Sequence, residues 1–348
     1  MTEQELQFHL FLMDLPIQER ELLDSRGRLD LVNFAIPELA QVFEGARCLI
    51  NSAWAANACR IIAPDGSVAL HLDYINSSVV TAITFGYEGT YFVGLTGAML
   101  EHLARTSSSL WRLGEVGELL DLEPTNETEE PLFQALLLTQ LQFISSHEVG
   151  HLFHGHQQRN AFRTEYRQMM RSCTEDKTKD QAREVEADAY AVHLLLNNSL
   201  LSDAGAMIRA RLKSRLAKED CILTLVMLSI GSLFYFLDPL EFESDRVRFE
   251  PHPFALARIN VVIREITNWC KLNLPEYIGW ATLPRFQRVM APVVDVGGSE
   301  ERFKMWLRQG DYLRGQSGTD YTSDLYRFQD ELRSEMDPIR WRIEGEQG

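Results

Sequence analysis

Two histidines and a glutamate with helical spacing stand in the segment 145–156, SSHEVGHLFHGH. His147 and His151 are four residues apart, so on an α-helix their imidazoles project side by side and can bind one metal ion. Glu148 lies about 100° around the helix from His147, where its carboxylate can reach a water on the metal without becoming a ligand. The spacing predicts a hydrolytic zinc site in a buried helix and disfavours a pair of ordinary core histidines.

A catalytic zinc needs a third protein ligand and one open coordination position. The best candidate is Glu184 in REVEADAYA, where the neighbouring alanines and leucines argue against a solvated helix face. Asp188 shares the helical face of Glu184 and can accept the N–H of a ligand histidine, which would set the tautomer of that histidine. His154 lies only three residues after His151, and a rigid helix would not easily bring a third imidazole to the same ion.

The composition limits the class of protein. The chain has 348 residues and a net charge of −16, which argues against a nucleic-acid surface because such a surface needs a basic stripe. Its five cysteines are scattered and form no CxxC pair, so we expect neither a disulfide framework nor a cysteine-ligated zinc. The first residues, MTEQELQFHL, lack a basic region followed by a long apolar stretch, so no secretory signal is predicted. A cytoplasmic location is therefore expected.

One uncharged stretch keeps a second location open. Residues 221–237, CILTLVMLSIGSLFYFL, amount to about 17 residues, the lower limit for crossing a hydrocarbon layer of ~30 Å. Thr224, Ser229 and Ser232 interrupt the stretch, and strongly basic flanks are missing on both sides. A buried core helix is favoured over a membrane span. Association with the inner membrane is the alternative.

The motifs together resemble a known group of enzymes. HExxH at 147–151 followed by ExxxD at 184–188 is the pattern of gluzincin zinc metallopeptidases, and the form ExEAD with a following alanine resembles the Ste24/HtpX group. The segment HPxxxxRI at 252–259 is similar to the HP…RI element of that group. The likeness covers about residues 131–200 and 250–262 and does not extend to the multiple membrane helices of that group. Soluble phage-exclusion peptidases of the Lit type, similar in HExxH core and size, fit the hydropathy better.

The resemblance implies a role for each matching residue. Glu148 would act as general base on a zinc-activated water, and His252 would stabilise the oxyanion. Arg258 would either help His252 or hold the segment in place. Loop capping and a surface charge are the alternative interpretations of these last two residues. The implied ligands of one Zn²⁺ per chain are His147, His151 and Glu184.

The hydrophobic periods predict the elements around these residues. Alternating segments lie within 67–96. A turn at 64–66 precedes them and another at 86–89 interrupts them, which indicates a small, largely antiparallel sheet ahead of the HExxH helix. Helices are predicted over 131–155, 179–197 and 253–270. We expect a mostly helical, zincin-like α+β fold. One strand within 79–96 would present an edge beside the metal helix and bind peptide by strand addition.

Three parts are expected to form one compact unit, namely an N-terminal helical segment and sheet lining the cleft (1–125), a helical metallopeptidase core (126–270) and a C-terminal helical extension (271–348). The predicted function is a zinc-dependent endopeptidase that acts on a protein or peptide substrate. It would be a regulated cytoplasmic bacterial protease of stress or phage defence, with an activating protein or peptide as a possible partner. A metal-binding sensor or regulatory protein with a zincin fold and a membrane-associated quality-control protease are the alternatives. Glu148 counts against a sensor, because a purely structural metal needs no base.

Overall fold

The computed structural model describes residues 2–14, 24–34, 37–57, 69–87, 90–123, 129–153, 177–237, 242–250, 252–297 and 300–336. The predicted turn at 64–66 and His154 lie outside these residues. Contacts between Cα atoms divide the chain into two compact units. The first takes its residues from 1–104, 147–170 and 334–348, and the second from 105–146 and 171–333. The expected three-part division stays a prediction.

A three-stranded sheet forms the centre of the first unit. Its strands are β1 (Ala69–Ile75), β2 (Ala82–Tyr87) and β3 (Thr90–Thr96), in the order β1-β3-β2. β3 pairs antiparallel with β2 but parallel with β1. The predicted small sheet is therefore confirmed, although it is mixed rather than largely antiparallel. β2 stands between β1 and β3 in the chain, so no tight turn forces those two strands into antiparallel pairing.

The two edges of this sheet differ. Asn51, on α2 (Pro37–Asn57), covers the outer edge of β1, because its side chain accepts a 2.7 Å hydrogen bond from Leu72 N and donates one of 3.0 Å to Leu72 O. Farther along the same edge, Leu29 N donates to Tyr74 O. The outer edge of β2 has no backbone partner among the residues that the structure describes. Among the described residues, β2 is thus the strand whose outer edge has no backbone partner.

Aromatic packing holds one face of the sheet against helix α1 (Glu3–Asp14). Phe11 stacks on Phe85 with ring centroids 3.7 Å apart, and Phe8 lies 5.6 Å from the same ring. Phe8 and Phe85 are buried, and Phe92 of β3 completes the group. Because side chains alternate along a strand, Thr84 next to Phe85 points to the opposite face of the sheet.

The second unit is helical. The predicted helices around 131–155, 179–197 and 253–270 are confirmed, and their described ends differ from the predicted ones by up to three residues. In chain order, the helices after α2 are α3 (Gly97–Trp111), α4 (Gly114–Leu119), α5 (Glu129–Phe153), α6 (Thr178–Leu200), α7 (Ala204–Leu212), α8 (Lys218–Leu237), α9 (Ala255–Asn273), α10 (Leu283–Gly297), α11 (Glu300–Arg314) and α12 (Gln316–Met336). Helices α3, α5 and α12 contain residues of both units.

Helices α6 and α9 pack against each other through small residues. Ala182 of α6 and Ala257 of α9 belong to one buried cluster, and Tyr321 of α12 joins it. At the other end of the pair, the indole N–H of Trp269 donates to the Asn197 side chain at 2.7 Å. These contacts fix the helix that carries Glu184 relative to the helix that begins after His252.

Helix α8 contains the uncharged stretch 221–237. It is long and apolar enough to cross a membrane by length and composition, yet 83% of its most apolar window is buried inside the protein. Two polar groups of this helix are bonded by α5, since the Gln140 amide donates to Ser229 O and Ser232 Oγ, both at 3.2 Å. At Gly231 a Cβ would lie 2.6 Å from Met290 Sδ, so the glycine permits the close approach of α10. This burial favours the core-helix interpretation, and the cellular location stays a prediction.

Candidate metal centre

The two motif histidines lie side by side near the end of α5. This helix tolerates Pro131 because it occupies the first turn, where a missing N–H costs no hydrogen bond. His147 and His151 are 8% and 5% exposed, and their Nε2 atoms are 3.1 Å apart. Two nitrogens bound tetrahedrally at about 2.0–2.1 Å from one zinc would be ~3.3 Å apart. The observed separation of the two nitrogens is close to this value, so the two histidines fit the predicted zinc as ligands of one ion.

A residue of the sheet holds the Glu148 side chain in position. The Thr84 hydroxyl of β2 donates to Glu148 Oε2 at 2.5 Å, and Thr84 is only 3% exposed. The same hydroxyl lies 3.3 Å from the Glu148 carbonyl oxygen. A hydrogen bond to a carboxylate is stronger than one between neutral groups. Thr84, on β2, thus fixes the position of the carboxylate one residue from His147.

Sequence reasoning did not identify Thr84. Its neighbours in AITFGY gave a partial signal, because Phe85 must face the core and Thr84 must then face the other side of the strand. A polar residue buried on that side needs a partner. The sequence could not name that partner, since Thr84 and Glu148 are separated by 64 residues.

Glu184 and His252 meet within the second unit. His252 Nδ1 lies 3.1 Å from Glu184 Oε2, with the histidine side chain 50% exposed and that of Glu184 15% exposed. The predicted ligand and the predicted oxyanion residue are therefore in direct contact. The contact uses Nδ1, and no residue that the structure describes engages Nε2 of His252.

Asp188 is fully buried and accepts two hydrogen bonds from Arg258. The guanidinium donates from Nε at 2.8 Å and from a terminal nitrogen at 2.6 Å, a bidentate arrangement. It also lies 4.3 Å from the centroid of the Phe234 ring. These contacts tie the start of α9 to α6, and the role of Arg258 stays a prediction. The predicted bond from a ligand histidine to Asp188 stays a prediction.

Glu186, between the two acids of the ExxxD motif, belongs to a separate buried network. It accepts hydrogen bonds from Gln329 at 2.6 Å and from Arg333 at 2.8 Å, both on α12. Burial raises its pKa, although the charge of Arg333 opposes the rise. Its side chain therefore points away from Glu184, as its place on the helix predicts.

Glu265 of α9 is the second acid of that network. Burial raises its pKa, but the hydrogen bond with His193 and the charges of Arg333 and Arg264 outweigh burial and lower the pKa to about 2. The His193 Nε2 atom lies 3.1 Å from Glu265 Oε2. This carboxylate is a structural anion that joins α6, α9 and α12.

Three side chains have the chemistry of a metal site. Among the residues that the structure describes, His147, His151 and Glu184 are a group that could hold a metal ion. Two imidazoles and one carboxylate form a donor set that zinc accepts in catalytic sites, and other divalent ions accept it too.

Residues 117–268 match the family model described as Peptidase U49. The matched region contains the HExxH helix, the ExxxD motif and the HPxxxxRI segment, and it spans less than half of the chain. The match supports a peptidase, a hydrolase that acts on protein or peptide substrates. No curated protein and no solved structure matches the chain. Zinc dependence and the gluzincin and Lit-type resemblances stay predictions.

Proposed function

We propose that the protein is a zinc-dependent endopeptidase with His147, His151 and Glu184 as metal ligands. The observation that carries the proposal is the placement of Glu148. Its carboxylate stands one residue from a proposed ligand histidine and is positioned by Thr84 of β2, whose outer edge has no backbone partner among the described residues. A metal that served structure alone would need neither the carboxylate nor its support. The family match over 117–268 supports a peptidase.

The side chains then take distinct roles. Zinc in such a site supplies Lewis acidity, which makes hydrolysis possible near neutral pH. Glu148 accepts the proton of the attacking water and passes it to the leaving amine. His252 approaches the carbonyl oxygen of the scissile bond with Nε2, because its Nδ1 contacts Glu184. Arg258 holds the HPxxxxRI segment through Asp188.

Peptide substrate binds along the outer edge of β2 in this proposal. An extended peptide adds to a sheet edge through backbone hydrogen bonds, which give affinity without selecting a side chain. β2 suits this role because its outer edge lacks a backbone partner in the described part of the chain, whereas Asn51 and Leu29 cover that of β1. Thr84 places this edge next to Glu148, so a peptide bound there would pass the general base.

The test compares new protein N-termini in cells that express wild type, Glu148→Gln or Glu130→Gln. Glu130 is exposed on the same helix and accepts a hydrogen bond from Gln134, so its substitution is a matched control. We expect fragments from wild type and Glu130→Gln and none from Glu148→Gln, with equal zinc content in all three purified proteins. Cleavage that persists in Glu148→Gln would contradict the proposal. Zinc binding without any cleavage, also under stress or phage challenge, would favour the regulatory alternative.

We also propose the biological setting of a regulated cytoplasmic protease of stress or phage defence. The enclosed side chains of α8 support this location over the inner membrane. Release of the full chain into the soluble fraction without detergent is the expected result. A chain that stays with the membrane until detergent is added would overturn the location.

A further inference from the structure

A cavity of about 360 Å³ opens at His252 within the second unit. His252 lines the cavity, and its Nδ1 lies 3.1 Å from Glu184 Oε2, so the cavity reaches the histidine that contacts the proposed metal ligand. The floor is apolar and buried, with Phe234, Val247 and Ala255 each at most 5% exposed. Phe242 and Phe254 form the walls.

The walls of this cavity are held by aromatic packing. The rings of Phe242 and Phe254 are 5.2 Å apart at 65°, and Tyr312 lies within 6 Å of both ring centroids. Phe254 also stacks on the buried Tyr321 at 5.8 Å. Rings held in this way do not have to become ordered when a ligand enters, which lowers the entropic cost of binding.

The charged groups around the cavity are paired. Arg258 forms an ion pair with the buried Asp188, and its guanidinium carbon lies 4.3 Å from the centroid of the Phe234 ring. At the exposed rim, Arg246 lies 3.4 Å from Glu243 and 3.6 Å from Glu250. Each charged residue described in the lining thus has an oppositely charged partner, and the apolar floor favours an uncharged apolar side chain of a ligand.

We propose that this cavity receives a large apolar side chain of the substrate, from a residue next to the scissile bond. The inference rests on the proposed peptidase function, because Glu184 and His252 mark where the scissile bond would lie. The volume is at the lower end of the ~300–1,000 Å³ found for small-ligand pockets. It accommodates one aromatic or branched aliphatic side chain and excludes a folded segment. Within the proposed function, this cavity selects the residue next to the scissile bond.

The experiment uses the zinc-loaded full chain and a proteome-derived peptide library, with three variants. Leu237→Trp fills the cavity from the partly exposed end of α8, and Phe242→Ala widens it. Phe303→Ala is the matched control, since Phe303 is 44% exposed and does not line the cavity. Binding of a cleaved peptide is also measured by fluorescence anisotropy in Glu148→Gln, alone and combined with each variant. Thermal unfolding checks that every variant is folded.

We expect wild type to cleave beside Phe, Tyr, Leu, Ile or Met. Leu237→Trp should lower cleavage beside these residues and peptide affinity by about 10- to 100-fold, while cleavage beside Ala or Gly changes little. Phe242→Ala should weaken the discrimination between large and small side chains, and Phe303→Ala should match wild type.

Two failures can be distinguished. Glu148-dependent cleavage with no preference for apolar residues would overturn the cavity assignment and leave the peptidase proposal intact. Identical cleavage profiles of Leu237→Trp and Phe303→Ala would also overturn the cavity assignment and leave the peptidase proposal intact. If wild type shows no cleavage beyond Glu148→Gln, the proposed function fails, and with it the assignment.

Discussion

Replacement of Thr84 by valine should slow catalysis without unfolding the protein. Valine keeps the shape of the side chain on β2 but removes the hydroxyl that donates to Glu148 Oε2 at 2.5 Å. A hydrogen bond to a charged group contributes about 1.5–3 kcal/mol. If that contribution positions the general base in the transition state, kcat should fall by about 10- to 150-fold. KM should change little, because the proposed strand addition uses the backbone of β2.

The assay measures kcat and KM on a peptide that spans a cleavage site found from the new N-termini. Thr84→Ser keeps the hydroxyl and should restore most of kcat. Thr81→Val is the matched control, because that hydroxyl donates to the neighbouring Ala82 carbonyl and not to the catalytic helix. Zinc content and unfolding temperature are compared across the three variants. A structural defect would lower the unfolding temperature and would not be rescued selectively by serine.

The reasoning is refuted if Thr84→Val keeps kcat within about twofold of wild type while remaining folded and zinc-loaded. A rise in kcat would also refute it, since the hydroxyl would then restrain Glu148 in an inactive position.

The other predictions concern stability and are measured by urea unfolding. Arg258→Leu leaves the buried Asp188 without its bidentate partner and should cost about 3–5 kcal/mol, whereas Arg327→Leu at an exposed ion pair should cost nothing measurable. The folded pKa of Glu265, about 2, lies below its ordinary value of 4.5, so its stabilisation is complete above pH 4.5 and is lost as the pH falls toward 2. The unfolding free energy of Glu265→Gln should thus vary by about 2 kcal/mol less than that of wild type between pH 6 and pH 3, and identical pH profiles would contradict this explanation.

The sequence by itself determined the local part of this protein. Because His147 and His151 are four residues apart on one helix, their side chains are neighbours. Their Nε2 atoms are 3.1 Å apart. Helical spacing also turned Glu186 away from the face of Glu184 and Asp188. The alternating segments marked the three strands, and the apolar periods marked the helices. All of these features depend on neighbours within one turn or one strand.

Only the tertiary structure decided which distant residues meet. β1 pairs with β3 in parallel, and this pairing depends on the order of the strands in the sheet. Local periodicity does not determine that order. Thr84 meets Glu148, and Arg258 meets Asp188, across 64 and 70 residues of chain. Such contacts arise from the packing of whole elements, in which each buried polar group must find a partner. For that reason the sequence predicted the general base, and the fold supplied the hydroxyl that holds it.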